Sequence, residues 1–119
     1  MRTISDAEYL LITGLFVRLD MSPISFGLSR QLKVEELADG GMGSVRFIHP
    51  ESPDEQRSLG QPVVEGEFQD TDGVVVSMAI NVDKRNQLYE MDLWKVDFSP
   101  LRRYPDPSDV TRLTRSSVT

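Results

Sequence analysis

From Ile4 to Leu19 the apolar residues fall three and four positions apart; from Leu32 they begin to fall two apart. In the first stretch, Tyr9, Ile12, Leu15, Phe16 and Leu19 recur at helical spacing and Leu11 widens the stripe, which predicts an amphipathic helix lying on a sheet by that face. Its start is marked. Ser5 and Glu8 fit a capping box, in which each side chain satisfies the other residue's orphan backbone donor, and Ile4 and Tyr9 are spaced as a hydrophobic staple. Gly14 sits inside the helix at a cost of about 1 kcal/mol relative to alanine, which close approach to a strand would explain. The following MSPISFGLSRQ has Pro23, Gly27 and no clean period, and reads as irregular with room for a short helical turn.

The two-residue period marks strands. LKVEEL and GSVRFIH flank ADGGM, a glycine-rich turn that joins them as a hairpin. HPESPDEQRSLGQP, with three prolines, reads as a surface loop. VVEGEF, QDTDG and VVVSMAINV form a second hairpin, with Val74, Val76, Met78, Ile80 and Val82 on the core face and Val75, Ser77, Ala79, Asn81 and Asp83 on a half-exposed one. DKRNQ turns the chain again, with Asn86 a candidate for a left-handed residue, and LYEMDLWKVDF returns antiparallel.

That last strand is irregular in pattern. Tyr89, Met91 and Leu93 are apolar in one phase, Trp94, Val96 and Phe98 in the other. A β-bulge at Leu93–Trp94 would return the bulk to one face, with Trp94 and Phe98 anchoring the core and Glu90, Asp92, Lys95 and Asp97 outward, Lys95 paired with Asp97. Helix first, then about five strands joined by turns, gives an α+β fold: an N-terminal helix packed on a mainly antiparallel sheet, with a cystatin-like meander as the first architecture. One domain is expected over residues 1–101. Residues 102–119, proline-punctuated and basic, are expected as a tail or wrap.

Composition narrows the function classes. The chain has no cysteine, which excludes disulfides, thiolate metal sites and a thiol nucleophile. The opening lacks the pattern of a secretory signal, and no apolar run approaches the roughly 18–20 residues of a membrane span; a cytoplasmic location is the expectation. Net charge is −6 at pH 7, yet residues 34–97 hold 14 acids and 5 bases, net −9. Such a body repels phosphates and argues against nucleic acid; it suits a basic protein partner.

Candidate chemistry is sparse. DGGMGS lacks the lysine and following helix of a phosphate-binding loop, and DTDG lacks the later ligands of a calcium loop, so both read as turns. His49, the only histidine, reads as a loop residue with no motif around it. Glu65 with Glu67, and Glu90 with Asp92, each share a strand face, as solvated acids or as a carboxylate cluster. Arg102, Arg103, Arg112 and Arg115 are expected to dock on the acidic body or remain solvated. Neither a metal nor a cofactor is expected.

Four segments carry a likeness: ISDAEYLLI, DGGMGS, FQDTDGVVV and YEMDLWKVDFSPL, in that order across residues 3–101. Together they resemble a family of small bacterial domains of unknown function. The resemblance implies no activity and no catalytic residues. In size, charge and architecture the chain is also similar to immunity proteins that neutralise secreted toxins. The expectation is therefore an interaction domain, with enzymatic activity undecided and a monomer or homodimer as its state. Asp39, Met42, Arg46, Glu90, Asp92, Trp94 and Asp97 are the candidate ligand or partner contacts. The alternative is a small-molecule binding protein or enzyme with its pocket between helix and sheet; a third reading buries the sheet's second face in a homo-oligomer.

Overall fold

The computed structural model describes residues 1–52 and 57–116. Among them, helix α1 (Asp6–Arg18) lies over a sheet of seven strands: β1 (Arg2–Thr3), β2 (Lys33–Glu36), β3 (Val45–Ile48), β4 (Leu59–Gln69), β5 (Val75–Asp83), β6 (Leu88–Lys95) and β7 (Thr111–Arg115). Every strand pair is antiparallel. The class is α+β, with seven strands where about five were expected. The two additions, β1 and β7, are short and carry little apolar alternation.

Strand order is β1-β2-β3-β6-β5-β4-β7, so the sheet departs from a simple meander where β3 sits beside β6. That junction is short, with only Val45↔Met91 and Arg46↔Glu90 in register. Ser44 extends it with its side chain: the hydroxyl accepts from Leu93 N at 2.9 Å and donates to Leu93 O at 3.3 Å. Residues 49–58 connect β3 to β4. Of these, 53–56 lie outside the described ones, but the remainder is not all surface: Arg57 is buried and β4 begins at Leu59.

The helix forms as its spacing dictates. Ser5 Oγ accepts from Glu8 N at 3.1 Å, and Ser5 N donates back to Glu8 Oε1 at 2.8 Å. Leu11, Ile12, Leu15 and Phe16 join Val34, Phe47, Val64, Val76, Ile80, Val82, Leu88 and Met91 in one buried cluster. The space between helix and sheet is thus filled by side chains, which removes the pocket the small-molecule reading placed there. Gly14 is explained by a different neighbour than a strand: a Cβ there would stand 2.4 Å from Pro107 Cγ. Pro107 opens a short 3₁₀ turn, Pro107–Asp109, in the C-terminal segment. Arg18 donates to Pro107 O and Val110 O at 2.7 and 2.8 Å, and β7 then pairs with β4.

On β6 the sequence expectation fails in an informative way. There is no bulge at Leu93–Trp94; Met78↔Leu93, Ser77↔Trp94 and Val76↔Lys95 follow in unbroken register. The shift comes earlier, where Asn81↔Glu90 is followed by Val82↔Leu88 and Tyr89 is the extra residue. Leu88, Met91, Leu93 and Lys95 therefore face the core, and Trp94 faces out at 54% exposure. Phe98, at 63%, is also outside the core.

Lys95 is tolerated inside because it is fully partnered. Its Nζ donates to Asp70 Oδ2 (2.9 Å), Asp72 Oδ2 (2.7 Å) and Pro100 O (3.2 Å), so no pair with Asp97 forms. Asp70 also accepts from the backbone N–H groups of Thr71, Arg102 and Arg103. Burial pushes its carboxyl up, but the Arg102 N–H and the Lys95 ammonium outweigh this and hold it below the ordinary carboxylate range. The Asp-Thr-Asp-Gly turn thus holds the chain's own ammonium. Asn86 does take the left-handed conformation, at φ +62°.

Candidate functional site

One face of the sheet is covered by α1; the other carries an open groove of about 530 Å³. The rows that form it follow from register. Glu65, Ala79 and Asp92 stand in one cross-strand row on β4, β5 and β6, and Glu67, Ser77 and Trp94 in the next. Small residues on β5 make the floor, and larger ones on its neighbours make the sides. Leu37 and Met42, from the β2–β3 connection, line the groove as well.

That connection is built by the glycine-rich segment. Both oxygens of Asp39 are used within it, accepting from Met42 N at 3.1 Å and Ser44 N at 3.0 Å. Gly41 and Gly43 have φ of +81° and +95°, where a side chain is strained. A Cβ on Gly43 would also meet Leu101 at 2.8 Å. The loop is fastened from behind: Leu101 N donates to Gly41 O, and Tyr104 OH donates to Gly43 O at 2.6 Å. Met42 is turned inward far enough for its sulfur to accept from Lys95 N.

The half-buried acids of the groove behave unlike those of the core. Asn81 donates to Asp92 Oδ2 at 2.6 Å, and Arg46 forks onto a single oxygen of Glu90 at 3.1 and 2.6 Å. Burial, reinforced by the neighbouring Glu90 charge, pushes the Asp92 carboxyl up to about 6. Two carboxylates thus crowd one patch, and the nearby Arg46 charge offsets the upward push on Asp92 only in part.

At the end of the groove stands an aromatic pair. Phe98 meets Trp94 edge to face, centroids 5.0 Å apart and planes at 73°. Phe98 holds φ +63°, an uncommon conformation for a bulky residue, fixed by its N–H donating to Lys95 O at 2.9 Å. Val96 beside it is 52% exposed.

Of the seven candidate residues, Asp39, Met42, Asp92 and Trp94 line this groove, and Arg46 and Glu90 adjoin it through Asp92. Asp97 does not join them; its Oδ1 accepts from Ser99 N and Ser99 Oγ. Leu37, Glu65, Ala79 and Asn81 were not among the candidates. Glu65 and Ala79 were legible as outward residues of their strands, but which strand neighbours which was not. His49 proves buried rather than a loop-surface residue, its Nε2–H donating to Leu88 O at 2.9 Å beneath Gly27. The tail arginines are exposed: Arg102 approaches Asp72 at 3.4 Å and Arg112 approaches Glu67 at 3.7 Å. Among the described residues, no cluster of three metal-ligating side chains occurs and no helix is long and apolar enough to cross a membrane.

An α+β domain with a bare, grooved sheet face is thus the class this geometry defines. The chain belongs to the family DUF6984, a domain of unknown function, whose model matches residues 1–105. No curated protein and no solved structure matches it significantly.

Proposed function

We propose that this is a non-enzymatic protein-interaction domain of the bacterial cytoplasm, immunity-like in size and charge, whose bare sheet face receives a basic partner. The carrying observation is the pairing of exposed aromatics, Trp94 and Phe98, with the acids of the adjoining rows, Asp92, Glu65 and Glu67. Contiguous exposed apolar bulk marks interaction sites on soluble domains, and tryptophan is enriched among the residues that dominate binding energy. Acids around it favour a positively charged partner and speed its encounter. The layout of one helix on one face, which we liken to cystatin-like arrangements, leaves this second face without a layer of its own. A non-enzymatic role is favoured because Ser44 and His49, the nearest to a nucleophile pair, are both engaged by backbone groups of β6.

The test is affinity capture from source cells, with Trp94→Ala as the matched control, followed by calorimetry on the purified captured protein at low and high salt. The expected partner is basic, binds the variant at least about tenfold more weakly and loses affinity with salt. A partner that binds both proteins equally, or ignores salt, sinks the reading.

A further inference from the structure

We infer that the groove is an arginine site, in which the guanidinium of a partner's arginine lies on the Trp94 indole and bridges Asp92 and Glu65 across Ala79. The inference rests on the proposed binding of a basic partner and names the group that makes the contact.

Register supplies the geometry. Asp92 and Glu65 lie two strands apart in one row with only the Ala79 methyl between them, a strand separation of about 10 Å. A cation lying over Ala79 has a carboxylate on either side. Trp94 occupies the neighbouring row, next to Asp92 on the same face of β6, and borders the same groove.

The other acids nearby are already engaged. Asp39 spends both oxygens on its loop, Glu90 is forked by Arg46, and Glu67 faces Arg112. Asp92 has one oxygen bonded to Asn81 and lies in contact with the Glu90 carboxyl, and Glu65 is exposed at the far end of the row.

Arginine fits this arrangement better than lysine. A guanidinium is planar and carries five donors, so one face can stack on an indole while its edges serve two carboxylates. An ammonium is a compact point charge and cannot do both. The aliphatic stem would lie along Leu37 and Met42, which line the groove. Charge selects against other occupants. A second copy seated face to face would set Glu65 and Asp92 against their own kind, and nucleic acid would meet the same repulsion.

The experiment is a titration followed by nuclear magnetic resonance, with acetyl-Gly-Arg-Gly-amide as probe and the lysine and citrulline tripeptides as counterparts. The chain has one tryptophan, so the indole N–H signal belongs to Trp94. The arginine peptide should shift that signal and the amides of Ala79 and Asp92 saturably, the lysine peptide should bind at least about threefold more weakly, and citrulline should bind negligibly. Asp92→Asn should weaken the arginine peptide about tenfold, the worth of one charge-assisted hydrogen bond. Equal responses to arginine and citrulline, equal affinity for arginine and lysine, or no response at Trp94 overturns the site. With the captured partner, sensitivity to Trp94→Ala but indifference to both Asp92→Asn and Glu65→Gln would overturn the arginine site and leave the interaction reading standing; indifference to Trp94→Ala would remove the interaction reading itself.

Discussion

Asp92 and Lys95 lie three residues apart on one strand, on opposite faces of the sheet, and the two charges are treated in opposite ways. Lys95 faces the core, and its partners converge: two carboxylates, each held below its ordinary range, and a carbonyl. Asp92 faces the groove, and a like charge sits beside it, so its carboxyl is held above its ordinary range. The first arrangement favours the ionised form and ties segments together. The second works against ionisation, with the Asn81 amide supporting the charge and the Glu90 carboxyl opposing it. A charge whose surroundings favour it serves the fold; a charge set against its surroundings is a candidate for function.

The comparison breaks most visibly at Lys95. Lys95→Ala would leave Asp70 and Asp72 facing each other with only the exposed Arg102 guanidinium, 3.4 Å from Asp72, as counter-charge, and melting should fall by on the order of 15 °C, read by circular dichroism. A fall of only a degree or two would mean that the cluster is dispensable.

Neighbours on β6 should separate next. Leu93 faces the core at 3% exposure, and Leu93→Ala should cost about 3 kcal/mol in urea unfolding. Trp94→Ala, one residue on, should cost about 1 kcal/mol, because it forfeits little more than the edge contact with Phe98. Equal losses would put the indole back in the core.

Asp92→Asn should move stability the other way. Because the folded carboxyl titrates near 6 and its ordinary value is 3.8, the native state binds more protons between those values and loses stability as pH rises through them. The penalty is absent at low pH and complete above 6. The variant should therefore be more stable at pH 7.5 by about 1 kcal/mol, after allowing for solvent screening of a half-buried group, and unchanged at pH 3.5. Glu8, Asp70 and Asp83 run in the opposite sense: their lowered values give stability that is present above about pH 4 and lost as pH falls through them. A wild-type profile that rises from acid and dips slightly before 6 is the combined signature. Destabilisation by Asp92→Asn at neutral pH would contradict the account.

The smallest effect is optical. Trp94 emission should be red-shifted and readily quenched by acrylamide in the folded protein. A blue, protected emission would contradict the outward indole.

What could be read from the chain is what local spacing controls. Ser5 and Glu8 announced the helix start, and Val76, Met78, Ile80 and Val82 announced the inner face of β5, because those signals lie within a few residues. Lys95 could not be placed in this way. A period of two prefers Trp94 inside, and the partners that make Lys95 acceptable there lie 23 and 25 residues away. The bulge was foreseen on the right strand but at the wrong step, since Tyr89 takes it up before Met91. β7 was hidden because Thr-Arg-Leu-Thr-Arg has one half-buried apolar residue and pairs with a strand more than 40 residues earlier. The groove was half legible: Asp92, Trp94 and Met42 were candidates, but Glu65 and Ala79 join them only through strand order.

The place of β7 also bears on how the chain can be divided. The family match ends at residue 105, before Pro107 fills the notch at Gly14 and before Thr111–Arg115 pairs with β4. A fragment stopped there would bare the outer row of β4 backbone N–H and C=O groups along one of the sheet's longest strands. Such a row is a template for another chain. The last strand exchanges that long edge for a short one carrying Arg112 and Arg115, which disfavours pairing with another chain, and a shortened protein should aggregate before it unfolds.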